Sequence, residues 1–273
     1  MAIITVSRQL AALGDETARE LARALGYRLV DKASLDASLE KFGFNKERLA
    51  KFDEKKPGFW ASLSRDRDDY IHHLRSALLH EAAQDNVVIV GRGAVALLRA
   101  IPDMVSVRLV APLHIRLERV RNYYRCDDKR AQQIIERSDS DRAGFHKYFF
   151  DMDWDDASQY LASLNMGYLH PAVAATQIKE LCESVVSKES EVKSRTIVAA
   201  MVLGQTVVDK ILYEEAVPIH FLEANVDGGE VVLLGVASSQ SSIEAAVASA
   251  RSVPGVTKVT NEIQVVQEYS VMP

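Results

Sequence analysis

Apolar positions along this chain switch between short continuous runs and helical spacing. Residues 3–6, Ile-Ile-Thr-Val, form one run, and Ala18, Leu21, Ala22 and Leu25 then recur at i, i+3, i+4 and i+7. That pattern predicts a strand, a turn and an amphipathic helix with one apolar face. Gly26 stops the helix, and residues 27–30 read as a second short strand ending at Asp31. Residues 34–83 are helical in pattern, with a break at Lys56-Pro57-Gly58. Val87–Val90 is wholly apolar and runs into Gly91-Arg92-Gly93-Ala94, as a parallel strand buried on both faces would before a helix start. Met104–Val110 reads as a further strand, stopped by Pro112, and Leu113, Leu117 and Val120 then share a helix face. Strands alternating with helices predict an α/β fold, a parallel sheet with helices on both faces.

The tail has another rhythm. Residues 218–226 and 230–236 are two strands around Asp227-Gly228-Gly229, a hairpin signal. Ile243, Ala246, Val247 and Ala250 follow at helical spacing. Pro254-Gly255 then turns the chain into a last strand carrying Val259, Ile263 and Val265. This is a small α+β domain. The small, polar stretch 184–194 reads as a linker, giving domains at 1–183 and 195–268.

Charge supports that division. The protein has 273 residues and a net charge of −5, all of it from residue 191 onward; residues 1–190 are balanced. The acidic balance predicts no nucleic-acid partner and no membrane contact. No apolar run approaches the length of a membrane span, and the N-terminus lacks the features of a signal peptide. Cys126 and Cys182 stand far apart, which fits a reducing cytoplasm and offers no metal-site spacing.

Four places carry candidate chemistry. Ser7-Arg8-Gln9 and Gly14-Asp15-Glu16-Thr17 occupy the strand–loop–helix setting in which backbone amides face phosphates. There Arg8 and Gly14 would meet the phosphates, and Thr17 would offer a hydroxyl to Mg²⁺. An ordinary helix start also explains the segment, with Asp15 and Glu16 favoured by the helix dipole. Arg92 lies between two glycines at a strand's carboxyl end, where open α/β sheets bind ligands; a tight turn with a solvated Arg is the other reading. Residues 116–142 carry Arg116, Arg119, Arg121, Arg125, Lys129, Arg130, Arg137 and Arg142. They suit a lid closing over a phosphoryl group or a salt-bridged helix pair with the interleaved acids. Asp31 is placed to orient a ligand or to cap the helix that follows. His72 and His73 have no partner at ligand spacing.

These motifs, in this order, resemble the cytidylate-kinase-like family of P-loop proteins over about residues 1–182. The carriers are Ile4-Thr5-Val6-Ser7-Arg8, Asp31-Lys32, Val88-Ile89-Val90-Gly91-Arg92-Gly93-Ala94, Ala111-Pro112-Leu113 with Arg116 and Arg119, Asp141-Arg142-Ala143, and Leu164-Asn165. The resemblance implies a nucleoside monophosphate kinase fold, and phosphate transfer from ATP-Mg²⁺ to a nucleotide such as CMP. It assigns Arg8, Gly14 and Thr17 to the phosphate loop, Asp31 and Arg92 to the substrate, and Arg137 and Arg142 to the lid. The family's loop has glycines where this chain has Ala11 and Leu13, and a basic residue where it has Asp15. A Cβ where φ must be positive is strained, Leu13 would fill phosphate space, and Asp15 has the wrong sign. Three functions follow: a degenerate kinase kept as sensor or scaffold, an active kinase with an altered loop, or a structural protein without a ligand. The tail resembles a BON domain through residues 227–235 and 253–263, implying a partner-docking or self-association module.

Overall fold

The computed structural model describes residues 2–44 and 66–266; the break expected at 56–58 lies outside them. The chain divides into two compact units after Ser194.

The first unit contains β1 (Ile3–Arg8), α1 (Gly14–Leu25), β2 (Arg28–Val30), α2 (Lys32–Lys41), α3 (Asp66–Ala83), β3 (Val87–Val90), α4 (Ala94–Leu97), β4 (Met104–Val110), α5 (Leu113–Tyr124), α6 (Asp128–Phe150), β5 (Ala162–Asn165) and α7 (Pro171–Val185). All five strands are parallel, in the order β2-β3-β1-β4-β5. The chain first winds to one side of β1 and then to the other. The crevice at the carboxyl ends of the strands is where such sheets bind ligands. Ile4, Val6, Val88, Val90, Val107 and Leu109 form the sheet's contribution to the main core. The apolar stripe read in α1 packs there through Ala18, Leu21 and Ala22, beside Ala174, Ile178 and Cys182 of α7. Burial pushes the Cys182 thiol up to about 11, so it stays an inert apolar group.

Two boundaries differ from the sequence reading. β1 continues past Val6 because β4 keeps pairing with it as far as Arg8↔Leu109. That brings Ser7 and Arg8 onto the strand. β5 carries no clear apolar signal; Ala162 and Leu164 are half-buried and alternate with exposed Ser163 and Asn165. Pairing with β4 makes it a strand, an edge element whose stability is tertiary.

Residues 184–194 are not an irregular linker. They comprise the end of α7, a break at 186–187, and the first turns of α8 (Lys188–Asp209). The serines that suggested flexibility act as caps. The Ser190 amide donates to Ser187 Oγ at 3.1 Å, and the Ser187 amide to Ser190 Oγ at 2.9 Å. This reciprocal arrangement starts helices. Lys193 and Glu189 add an i, i+4 pair.

The second unit has the hairpin of β6 (Ile219–Asp227) and β7 (Glu230–Ala237), then α9 (Gln240–Ser252) and β8 (Lys258–Val265), which pairs parallel to β7. Asp227 pairs with Glu230 across a two-residue turn in which Gly228 and Gly229 both have positive φ, the conformation that Gly-Gly favours. By length and composition the helical stretch Lys188–Glu214 is apolar enough to cross a membrane, with mean hydropathy 1.4 in its best window. That corrects the sequence reading. Here Val207, Val208 and Ile211 of this stretch are committed to the domain's own core, against Leu233, Ile243 and Ala246.

Candidate functional site

β1 delivers Arg8 to the crevice, and the next five residues form the loop into α1. Ala11 and Leu13 both adopt left-handed backbone, at φ 60° and 53°. These are the two positions at which the resemblance calls for glycine. The loop therefore keeps a phosphate-loop path with the wrong residues, at roughly 1–2 kcal/mol of strain for each. Such strain persists only where the surroundings over-determine it, and here two arginines of α5 do so. Arg116 Nε donates to the Leu10 carbonyl at 2.8 Å while its Nη2 grips both oxygens of Asp139. Arg119 bridges the Ala11 carbonyl at 2.9 Å and the Met166 carbonyl at 2.8 Å. Partial burial lowers the pKa of Arg119. Two members of the arginine-rich segment thus act as loop latches. Leu13 packs half-buried against the sheet core while bordering the loop cavity. Ala11→Gly should relieve the strain and raise stability by about 1 kcal/mol in urea unfolding. Unchanged or lower stability would show that the latches alone set this conformation at no cost.

The remaining loop residues divide. Gly14 is required: a Cβ there would come within 2.5 Å of Arg8 Cγ. Arg8 lies across the helix start and pairs with Asp15, Nε to Oδ1 at 3.5 Å. Thr17 is fully buried, and its hydroxyl donates to the Leu13 carbonyl at 2.7 Å. That hydroxyl is engaged by the turn, and Thr17, expected at Mg²⁺, is not among the residues lining the two cavities beside the loop. The described residues contain no group of three His, Cys, Asp or Glu able to hold a metal.

Beside the loop lies a cavity of about 370 Å³. Its wall includes Arg8, Lys32, Arg92, Arg130, Arg137 and Arg142, against a single carboxylate, Asp141. Of the residues assigned from sequence, Arg8, Arg92, Arg137 and Arg142 are brought to this cleft. Arg92 is 2% exposed and bound to Asp36 at 2.8 Å and to the Tyr70 hydroxyl at 3.3 Å. Its left-handed backbone, φ 53°, and that of Gly93 turn the chain sharply after β3. A Cβ at Gly93 would collide with the Phe150 ring. Arg142 donates to Ser138 Oγ, and the exposed Arg137 pairs loosely with Asp141 at 3.9 Å. Asp31 is not in the cavity wall. It caps α2, accepting from the Ser34 amide at 3.1 Å, and that hydrogen bond lowers its pKa. Its neighbour Lys32 takes the place expected of it in the cleft. The sequence reading also left Arg130 unsingled among the lid charges.

A second cavity, about 490 Å³, lies over the loop. Arg8 and Arg142 border both cavities. Behind them stands a buried cluster that sequence reasoning missed entirely. Trp154 donates from Nε1 to Ser7 Oγ at 2.9 Å, and the Arg108 guanidinium lies 4.2 Å over its ring. His146 stacks on the Trp154 ring and bonds the Arg142 carbonyl at 2.8 Å. Trp154 thus ties Ser7, next to Arg8, to the backbone of Arg142. No local motif announces this, because the participants are spread from residue 7 to residue 154.

The parallel sheet, the phosphate-loop path and the arginine-lined crevice define a P-loop kinase-like fold. Within that class, the chain belongs to the cytidylate kinase-like family, which it matches over residues 3–168. Residues 202–267 match the BON domain. No match is found among curated proteins. The structure of an uncharacterized protein from Eubacterium ventriosum ATCC 27560 is similar, with 22% identity, 67% of this chain and 99% of that chain covered, and a TM-score of 0.53. Shikimate kinase from Bacteroides thetaiotaomicron aligns at 19% identity over 67% of this chain and 98% of its own, with a TM-score of 0.42. The likeness to the first is one of fold.

Proposed function

We propose that this chain binds a phosphorylated small molecule in the arginine-lined cleft, transfers phosphate slowly or not at all, and serves as a sensor or scaffold whose BON domain docks a protein partner or a second copy. The observation that carries this reading is the placement of charge. Six cationic side chains border the cleft, an arrangement suited to bidentate phosphate contacts. At the loop, by contrast, Asp15 holds Arg8 and Thr17 is turned inward. Phosphoryl transfer depends on positioning and on neutralising the β- and γ-phosphates, and a carboxylate at the helix start opposes both. The residues present do not fit a bound Mg²⁺ at Thr17, so no catalytic step is assigned to the metal.

An active kinase is the second reading, favoured by the fact that Arg8 and Arg142 border both cavities, as groups between a donor and an acceptor would. It would require ATP and Mg²⁺, with the metal held by the nucleotide and by groups other than Thr17. One experiment decides between them. With ATP-Mg²⁺ and CMP, UMP or dCMP, turnover should be undetectable, while inorganic pyrophosphate should bind below millimolar concentration and weaken with salt. A rate of about 1 s⁻¹ or faster, ordinary for kinases, establishes the second reading. If neither pyrophosphate nor any nucleotide binds at millimolar concentration, the cleft is vestigial and the first reading fails.

A further inference from the structure

The small sheet of the second unit has two unlike faces. Val207 of α8 and Ile243 and Ala246 of α9 pack with Val231 and Leu233, so both helices cover one face. Val232, Leu234 and Val236 alternate with those residues along β7 and belong to the other. All three are half-buried and stand outside the domain's core. Strand pairing sets them at the centre of three rows: Asn225-Val232-Thr260, Glu223-Leu234-Glu262 and His220-Val236-Gln264. Residues paired across a sheet share a face. The result is an apolar stripe one strand wide, polar along both sides, with a carboxylate on either side of its centre. Lys258, on the same face, is already paired with Glu230 at 2.9 Å. At the Val236 end, one extra residue bulges β6 between His220 and Glu223. Phe221 lies in that bulge at φ 53° and is 88% exposed. Positive φ is an outlier for an aromatic residue, and bulges re-aim side chains at functional edges. Gly235 lets the bulge close, since a Cβ there would come within 2.9 Å of Ile219 Cγ2.

We propose that this face docks an amphipathic helix of a partner protein, one whose apolar stripe is bordered on both sides by Lys or Arg, with Phe221 as the anchor at one end. Dimensions and charge carry the choice of occupant. Three strands about 4.8 Å apart span about 10 Å, the diameter of one helix with its side chains. Val232 to Val236 covers about 13 Å, or about two and a half helical turns, enough for apolar contacts at i, i+3 or i+4, and i+7. Glu223 and Glu262 then meet the cations on the two flanks. A second copy docked face to face would set these carboxylates against like charge, and an anionic lipid surface would be repelled by them. The inference rests on the docking role proposed above and adds to it the surface and the chemistry of the partner.

Fluorescence anisotropy with the full chain tests it, using a labelled Leu/Lys amphipathic peptide of about 18 residues and a scrambled peptide of the same composition. The amphipathic peptide should bind about tenfold more tightly than the scrambled one. Leu234→Thr and Glu262→Lys should each weaken it about fivefold. Glu244→Lys, on α9, changes the net charge equally and should stay within about twofold. Phe221→Gly should relieve the backbone, leaving the melting temperature unchanged or higher, and still weaken the peptide about fivefold. That combination separates docking from folding, and circular dichroism checks the other variants. Equal binding of the two peptides, equal loss in Glu262→Lys and Glu244→Lys, or no effect of Leu234→Thr or Phe221→Gly overturns the inference. So does a dimer in sedimentation, or binding to phosphatidylglycerol vesicles, that Leu234→Thr abolishes, because either gives the face to another occupant. Absence of peptide binding at about 1 mM also overturns it; a dimer that survives Leu234→Thr would then leave the docking role standing on another surface. Pyrophosphate titration reads the first unit, so the anion-binding reading stands or falls separately.

Discussion

Replacing Trp154 with alanine should lower the stability of the first unit by about 4 kcal/mol, the cost of excising a large aromatic side chain from a core. The ring is 1% exposed and three other groups depend on it. Arg108, only 3% exposed in its side chain, loses the nearer aromatic face and is left with the Asp155 ion pair, the Tyr160 hydroxyl and the Tyr160 ring at 5.5 Å. Ser7 Oγ loses the Nε1 donor. His146 loses its stacking partner while still holding the Arg142 carbonyl. Trp154→Phe keeps an aromatic face and removes only the Nε1 donor and part of the volume, so its cost should be about 1–2 kcal/mol. Urea unfolding of both variants provides the comparison. A loss under about 2 kcal/mol for the alanine variant would mean that the cluster repacks around the vacancy and does not anchor the strand end.

Arg92→Ala should cost about 3 kcal/mol. The guanidinium is buried and bound to Asp36 and Tyr70, so truncation strands a partly buried carboxylate, a change that usually costs 3–5 kcal/mol. Asp36 retains about a quarter of its side-chain exposure, which places the loss at the lower end. The backbone adds nothing to the difference, since Ala and Arg are equally strained at φ 53°. Asp36→Ala should also be destabilising, because it strands the more deeply buried guanidinium, and a double-mutant cycle should return a coupling of at least about 1 kcal/mol. Additive losses would mean that the two side chains are not a functioning pair. The same pairing changes what Arg92 does for a ligand. The family resemblance assigned it to the substrate, but its charge is already shared with Asp36. Arg142→Ala should therefore weaken pyrophosphate binding more than the Asp36→Ala change strengthens it.

The fold was legible where burial imposes a simple pattern. β3 is covered on both faces and is wholly apolar, and β1 and β4 are mostly apolar, with Thr5, Ser7, Ser106 and Arg108 as buried polar exceptions. α1 is covered on one face, so Ala18, Leu21 and Ala22 recur at helical spacing. The Asp227-Gly228-Gly229 turn was legible because only a few residue types accept its backbone angles. β5 and the helix start at Ser187 were not. The first depends on pairing with β4, and the second on a serine pair whose local composition also suits a linker.

The site divides along the same line. Which side chains could meet an anion was written in the sequence, as were the missing loop glycines and the acid at position 15, because charge and the presence of a Cβ are properties of the residue itself. Their employment was decided only in three dimensions. Arg116 and Arg119 spend their donors on loop carbonyls, Arg92 on Asp36 and Thr17 on the turn before its own helix; Asp31 accepts at the cap of α2, and Arg8 and Arg142 come to border two cavities at once. A guanidinium has several donors and a long stem, so its partner is set by what the fold brings within about 3 Å. That proximity joins residues more than a hundred positions apart and leaves no trace in local spacing.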